Sequence, residues 1–450
     1  MFYWKKGNFK LSAFQIIIFG FIVVIFAGTV LLMLPAATKS GSSADFMDAL
    51  FTSTSAVCVT GLIVQDTATY WSVFGQAVIA VLIQIGGIGV VTVVVAIVMF
   101  TGRKIGLMQR SALQYAISAP KVGGIVKLIG FILKLTFFVE LTGAILMAPV
   151  FIKVFGLKMG IGYAIFHSIS AFCNAGFDLM GITEPRSSLV AFTGEPLMNI
   201  VIMFLIIIGG IGFITWDDVK VHGIHVKKYR MPCKVILCFT SCLILLSTFY
   251  FYFIEFDKAQ WEYLSGEERI FASVFQSVAP RTAGFNTVNT ELLSDLGQAV
   301  TIILMLIGGA PGSTAGGMKI TTAAVLIASA VSVIKRRDDS QYFGRRIDEH
   351  AVKDAAAIFI LYLFLFLTGG FVISELEQVA LPVCLFETAS AIGTVGLTLG
   401  ITPALCTASK IILIMLMFFG RVGGLTIIFA AVANRGSGGY RLPKESIIVG

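Results

Sequence analysis

Four short segments of the chain combine small residues with glycine in a pattern that suits cation binding by backbone carbonyl oxygens. Each ends on a glycine and follows an aromatic and a hydroxyl residue, as Phe51-Thr52-Ser53 precedes Gly61. Glycine lets the backbone run extended with its carbonyl groups directed inward. The candidate ion-binding residues are Val59, Thr60, Gly61, Asn174, Ala175, Gly176, Thr282, Ala283, Gly284, Thr394, Val395 and Gly396.

The residue types in these segments also indicate which ion they suit. None of the four segments contains Asp or Glu. Calcium prefers carboxylate oxygens, whereas carbonyl dipoles without fixed charge suit a larger, weakly hydrated ion. The sequence therefore predicts potassium at filter carbonyls, as the substrate, rather than a metal held by side chains.

The elements that position these segments belong in a lipid bilayer. Of the 450 residues, 57% are hydrophobic and only 13% are charged, which excludes ordinary soluble domains. Eight stretches are long and apolar enough to span a bilayer, near residues 14–34, 73–100, 125–150, 197–215, 235–254, 298–333, 355–374 and 408–433. Four shorter stretches are better interpreted as re-entrant half-helices, near 46–58, 160–172, 268–279 and 380–392.

This order predicts an all-α membrane protein of four pseudo-fourfold repeats. Each repeat has a transmembrane helix, a re-entrant pore half-helix with a filter loop, and a second transmembrane helix. Pro280 interrupts the third copy, so that half-helix is expected to end early. The predicted units are repeats 1–101, 122–215, 235–334 and 354–434, cytoplasmic connections 102–121, 216–234 and 335–353, and a C-terminal tail 435–450.

The charged residues indicate the topology. Most Lys and Arg flank the connections between repeats, whereas the loops inside repeats carry acids. By the positive-inside rule, both termini and the three connections are cytoplasmic, and the net charge of +8 needs no nucleic-acid partner. A cleaved signal peptide is the alternative for the first span, but its apolar run is longer than a signal core. The seven cysteines lack metal-ligand or disulfide spacing.

The second span of repeat three is interrupted near the bilayer midplane. Five glycines and one proline in ten residues cannot remain a regular helix. Irregular backbone at that depth must be covered by protein or line a cavity, so we expect a mobile gate under the filter, with a static kink as the alternative. The candidate gating residues are Gly308, Gly309, Ala310, Pro311, Gly312, Ser313, Thr314, Ala315, Gly316 and Gly317.

Arg421 is a further gating candidate, since it follows its filter glycine at the depth of the interrupted segment. A charge at a helix centre costs about 2.5 to 3.5 kcal/mol on insertion scales. Arg421 could donate to carbonyls of the gating loop, or it could simply pin helices together. Glu140 is a weaker candidate, with Lys134 as its suggested partner. Glu387 is expected to face the outer vestibule, and His167 is expected to pack behind its filter segment.

The chain resembles the Trk/Ktr/HKT superfamily of potassium transporters, specifically its Ktr-type membrane subunits, over essentially its whole length. The features that carry this resemblance are the four glycine-centred segments, the Thr394-Val395-Gly396 sequence and the interrupted span. The resemblance implies potassium uptake across the bacterial plasma membrane, with the interrupted loop as the gate. Sodium-preferring relatives carry Ser where this chain has Gly61. The resemblance also implies a homodimer regulated by a cytoplasmic nucleotide-binding ring of the KtrA type, with no cofactor bound by this chain.

Two other classes remain open. A secondary cation transporter with a midplane site would also show broken spans, but would normally repeat the break in a paired half, and the long break occurs once. A membrane-embedded enzyme would need convergent His, Asp, Glu or Cys at bilayer depth, and only scattered ones exist. The connections carry no Walker loop, dinucleotide fingerprint or zinc motif, so no enzymatic activity is expected.

Overall fold

The computed structural model describes residues 12–101, 106–118, 123–432 and 445. The predicted tail 435–450, apart from residue 445, and parts of the first connection lie outside the described residues. The described helices are α1 (Ala13–Leu32), α2 (Phe46–Val57), α3 (Val73–Ile88), α4 (Val90–Phe100), α5 (Leu107–Ala116), α6 (Ile125–Phe172), α7 (Pro196–Gly210), α8 (Phe213–His222), α9 (Met231–Tyr250), α10 (Gly266–Val278), α11 (Asp295–Leu306), α12 (Ile320–Ile334), α13 (Glu349–Glu377), α14 (Leu381–Gly393), α15 (Thr407–Val422) and α16 (Gly424–Val432). Strands β1 (Gln341–Tyr342) and β2 (Arg345–Arg346) form an antiparallel hairpin in the third connection.

The first span of every repeat is a continuous helix. These spans are α1, the first part of α6, α9 with its π-helical extension to Glu255, and α13. Their outer faces carry large exposed apolar side chains, such as Phe137 (69% exposed), Leu245 (69%) and Phe364 (61%). Large apolar patches on a soluble protein would be costly, so this surface fits contact with lipid.

The second spans are broken in every repeat. The sequence predicted the interruption of repeat three, and the breaks in the other three repeats are additional findings. A 93° bend separates α3 from α4, and a 94° bend separates α7 from α8. Each joint contains a glycine at positive φ, namely Gly89 (95°), Gly212 (93°) or Gly423 (90°). Glycine adopts such a conformation without the steric cost that a Cβ imposes. In repeat three the break is longer and covers residues 307–319.

The four half-helices lie where the sequence predicted them, within a few residues at each end. They are α2, the part of α6 after Gly156, α10 and α14, and all four are largely buried. Polar caps begin two of them: the Asp45 carboxylate accepts from the Met47 amide at 2.8 Å, and Ser265 forms a capping box with Glu268. These caps satisfy amide groups at the start of the half-helix.

Glycines on three second spans let each span approach the end of its half-helix. A Cβ built on any of them would collide with a backbone carbonyl oxygen at the carboxyl end of that half-helix. The three pairs are Gly86 with Val57, Gly209 with Phe172, and Gly420 with Ile392. The repeated Gly-containing sequence of the second spans therefore holds the half-helices in place.

Substitution of Gly86 by Ala is therefore expected to lower stability, because its Cβ would overlap the Val57 carbonyl group. Overpacking of this kind costs about 1–3 kcal/mol. The melting temperature of purified protein in detergent measures the effect. Gly130→Ala in α6 is the control, because a Cβ there meets nothing within 4 Å. Equal melting temperatures for the two variants would contradict the packing role of Gly86.

Candidate cation pathway

The four predicted filter segments close into a ring. A Cβ built on each filter glycine would collide with the carbonyl oxygen of the residue before the next repeat's glycine, for example 2.5 Å from Ala175 in the case of Gly61. The four pairs are Gly61 with Ala175, Gly176 with Ala283, Gly284 with Val395, and Gly396 with Thr60. Because the fourth repeat returns to the first, the segments surround one axis, and a side chain at any of these glycines would overlap the neighbouring segment.

The four segments also share one backbone conformation. The first residue of each is left-handed although it is not glycine, with φ between 51° and 68°. The glycine that ends each segment is also at positive φ, between 69° and 96°. Left-handed non-glycine residues are uncommon and cluster at functional sites. The equivalent position of every repeat thus has the same strained conformation, which supports the alignment of the repeats. The residues at this position are Val59, Asn174, Thr282 and Thr394.

The filter carbonyl oxygens are buried and have no backbone donors. All twelve filter residues are buried, and no backbone N–H among the described residues donates to any of their carbonyl oxygens. Buried carbonyl groups are ordinarily paired. An arrangement of unpaired carbonyls around an axis can replace the hydration shell of a cation.

Serines of the half-helices hold the filter amides, and sequence reasoning missed them. The Gly61 amide donates to Ser55 Oγ at 3.1 Å, and the Gly396 amide donates to Ser390 Oγ at 3.0 Å. Ser170 of repeat two donates instead to the carbonyl oxygen of Phe177 at 2.7 Å. The available signal was a serine two residues after the aligned Ser or Thr in three of the repeats.

The third repeat departs from this pattern, as Pro280 predicted. Its half-helix ends at Val278, four residues before Thr282, and Ala279 stands where the other repeats have serine. The Gly284 amide donates to the Ala279 carbonyl oxygen at 3.4 Å instead. The prediction of an early end is confirmed.

Two polar residues behind the filter hold the chain that follows it. The His167 ring accepts from the Leu179 amide at 3.3 Å, which fits the predicted packing role. Glu387 is fully buried and accepts from the Leu399 amide at 3.0 Å, so the prediction that it faces the outer vestibule is wrong. The Glu387 carboxylate on α14 points toward the loop that follows the filter segment.

Glu140 is partly buried beside the second filter segment. Gln84 of α3 donates to its carboxylate at 3.2 Å, and Cys173, next to Asn174, lies 3.8 Å away. Among the described residues the partner of Glu140 is thus Gln84, and the suggested pairing with Lys134 is wrong. The cluster joins repeat one to repeat two.

The interrupted segment 307–319 lies under the filter and is bonded to repeat two. The Ala310 amide donates to the Gly210 carbonyl oxygen at 2.9 Å, and the Thr314 amide donates to that of Gly209 at 3.2 Å. These bonds satisfy irregular backbone inside the membrane, as that environment requires.

The same segment also contacts the fourth repeat. The Gly317 amide donates to the Gly420 carbonyl oxygen at 3.1 Å. A Cβ on Gly316 would overlap the side chain of Thr394, the first filter residue of that repeat. The segment therefore reaches the inner end of the filter.

Arg421 reaches the interrupted segment, as its depth in the sequence predicted. Its guanidinium donates to the carbonyl oxygens of Thr314 and Gly86, and to that of Gly87 at 3.0 Å. One cationic side chain thus ties repeat four to the loop of repeat three and the second span of repeat one.

Lys319 is a second cation at this depth, which sequence reasoning passed over. Its ammonium donates to the Ala315 carbonyl oxygen at 2.7 Å, inside the interrupted segment. Lys319 and Arg421 both line a cavity on the inner side of that segment, together with Gly312 and Ser313. A charged residue two positions after the glycine-rich run 308–317 was the available signal.

A second cavity lies on the outer side of the filter. All four filter glycines line it, with Asp178, Glu184 and Glu291 from the loops between filters and second spans. Burial, reinforced by the neighbouring Asp66, raises the pKa of Asp178 to about 7, although the Met180 amide stabilises its ionised form. The negative charge at the outer mouth therefore increases as the pH rises through neutrality.

Fold and site together define a class of protein, a membrane transport protein with four repeats around one axis. A family profile described as "TrkH: Cation transport protein" matches residues 7–440. The chain therefore belongs to the TrkH family of cation transport proteins, which confirms the resemblance to the Trk/Ktr/HKT superfamily. Members of this family are ion transporters and not enzymes.

Relatives and a solved structure agree with this assignment. The chain is 39% identical to "Potassium/sodium uptake protein NtpJ" of Enterococcus hirae over 99% of both chains. It is 38% identical to "Ktr system potassium uptake protein B" of Bacillus subtilis over 97% of this chain and 96% of the relative. The crystal structure of the potassium transporter TrkH from Vibrio parahaemolyticus shares the fold, with a TM-score of 0.71, 21% identity, and coverage of 95% of this chain and 86% of that chain.

We expect Ser55→Ala to weaken ion discrimination, because it removes the hydroxyl that accepts from the Gly61 amide. One such bond contributes about 0.5–1.5 kcal/mol. The measurement is the ratio of rubidium to sodium uptake in proteoliposomes. Ser53→Ala in the same half-helix is the matched control, since it removes a buried bond to the Ile25 carbonyl oxygen away from the filter. Equal ratios in the two variants would contradict the role given to Ser55.

Proposed function

We propose that the chain is the pore-forming subunit of a Ktr-type potassium uptake system and that ions cross through the ring of filter carbonyls. The observation that carries this proposal is the closed ring of twelve buried residues whose carbonyl oxygens accept from no backbone amide of the described residues. At bilayer depth such groups need an ion or water. Cavities on both sides of the filter support a path through it.

Potassium is the proposed substrate. The relatives carry names of potassium uptake proteins, and one is named for both potassium and sodium. Glycine at all four ring positions, with Gly61 in the first repeat, supports preference for the larger ion. Sodium is the second candidate on the strength of that relative's name.

We propose that the glycine-rich part of the interrupted segment, residues 308–317, is the gate. It stands between the outer filter and the inner cavity, and its hydrogen bonds run to repeats two and four. Arg421 would hold the closed position through the Thr314 carbonyl oxygen, and its charge would limit cation occupancy under the filter. A pinning role without an effect on flux is the competing interpretation.

We further propose a bacterial plasma-membrane location with both termini cytoplasmic, a homodimer, and regulation by a cytoplasmic nucleotide-binding ring of the KtrA type. The Ktr-system names of relatives and the basic connections between repeats support this assembly. The proposal assigns no bound cofactor to this chain.

A secondary transporter remains the alternative function. The structure changes which feature can distinguish it from a channel. Short breaks at Gly89, Gly212 and Gly423 accompany the long break of repeat three, so broken spans alone do not separate the two mechanisms. The closed filter ring favours a channel-like pathway, because it offers one axial path rather than a site between paired halves.

Gly61→Ser tests the filter. Its side chain would press on the Ala175 carbonyl oxygen from a left-handed residue, so we expect the potassium-over-sodium uptake ratio to fall by about tenfold, which corresponds to about 1.4 kcal/mol. Potassium, rubidium and sodium fluxes into proteoliposomes provide the measurement. Gly41→Ser is the control, because Gly41 is also left-handed (φ 71°) but a Cβ there meets nothing within 4 Å. An unchanged ratio in Gly61→Ser would reopen the transporter alternative.

Arg421→Gln tests the gate. Removing the charge and its bond to Thr314 is expected to raise potassium flux several-fold, without the regulatory ring present. Flux into proteoliposomes containing the purified membrane subunit measures the change, with the exposed Arg336→Gln as the control. If flux stays at the wild-type level in folded protein, Arg421 is a packing residue.

A further inference from the structure

A basic and apolar surface stands exposed at the end of α8, and we refer to residues 220–228 as the α8 rim. Three aliphatic side chains in it are largely exposed: Val221 (66%), Ile224 (92%) and Val226 (53%). Lys227 and Lys228 follow directly and are also exposed. An exposed aliphatic cluster next to lysines marks an interaction surface.

The geometry of the chain places the α8 rim beside the bilayer. The 94° bend between α7 and α8 turns α8 across the direction of its membrane span. Trp216 on α8 donates from its indole nitrogen to the Ile208 carbonyl oxygen of α7 at 2.9 Å, which fixes the two helices together. The membrane span α7 precedes α8, and the next membrane helix, α9, begins at Met231. The chain therefore enters the bilayer on both sides of the α8 rim.

The positive charge of the α8 rim is not neutralised by its neighbours. Asp218 pairs with Arg230 at 3.2 Å and Asp217 contacts the same guanidinium at 3.5 Å, so these acids already have a cationic partner. Within the described ranges, no acidic side chain pairs with Lys227 or Lys228. The two ammonium groups are available to an anionic ligand.

We propose that the α8 rim binds anionic phospholipid of the adjacent leaflet, with Ile224 and its aliphatic neighbours inserted between acyl chains and the lysines on headgroup phosphates. Interfacial segments of this kind combine lysines with aliphatic residues and gain both apolar burial and electrostatic attraction. This inference is independent of the filter and gate, because it concerns lipid and not ions.

Lipid explains the surface better than a protein partner or topology alone. The positive-inside rule accounts for lysines but not for an isoleucine with 92% of its surface exposed. Lysines stand at both ends of this short segment and the three exposed aliphatic side chains lie between them, so a boundary that is apolar and negatively charged matches the whole α8 rim. The negatively charged leaflet supplies that boundary.

The test measures the melting temperature of the purified protein in neutral detergent during titration with phosphatidylglycerol or phosphatidylcholine. We expect phosphatidylglycerol to stabilise the wild type more. Lys227→Gln/Lys228→Gln should weaken the apparent affinity for it by roughly tenfold or more. Ile224→Ser should weaken the affinity for both lipids, because the inserted aliphatic group is lost.

Arg345→Gln/Arg346→Gln in the β-hairpin removes the same charge from another connection and serves as the matched control. Wild-type lipid affinity in the lysine variant would overturn the proposal, as would an equal loss in the control, since either would mean that net charge alone acts. Unchanged lipid binding with loss of binding to the nucleotide-binding regulatory protein would assign the α8 rim to that protein instead.

Discussion

The structure depends on one constraint, that a helix ending inside a bilayer leaves carbonyl groups without water. Each half-helix leads into a buried segment that begins with a left-handed residue, and the carbonyl oxygens of that segment meet no backbone donor in the described chain. In the proposed pathway the four ends share one axis, where an ion would replace the missing donors. The cost of the unpaired carbonyl groups then accounts for the fourfold arrangement.

Glycine recurs for three different reasons in this fold. In the filter it allows neighbouring segments to approach, as Gly61 approaches Ala175. On the second spans it lets a helix pack against a carbonyl end, as Gly86 does at Val57. At Gly89, Gly212 and Gly423 glycine permits the positive φ at which the span changes direction. Only the third use changes the direction of the chain.

Sequence patterns predicted the repeats, the half-helices, the early end of the third one and the depth of Arg421, since these follow from hydrophobic length and register. They failed where side-chain direction or one backbone torsion decides the result. Glu387 has the same spacing whether it points to the vestibule or behind the filter. A glycine that packs, such as Gly86, reads in the sequence like one that bends a span, such as Gly89.

The glycine joints let α4, α8 and α16 leave the direction of their outer helices at Gly89, Gly212 and Gly423. The inner helix α8 is nevertheless coupled to the interrupted segment, since the Phe213 amide donates to the Gly312 carbonyl oxygen at 2.8 Å. The ring is approached from two repeats, because a Cβ on Gly316 of repeat three or on Gly420 of repeat four would overlap Thr394. A displacement of the inner face therefore has two routes to the same residue of the ring.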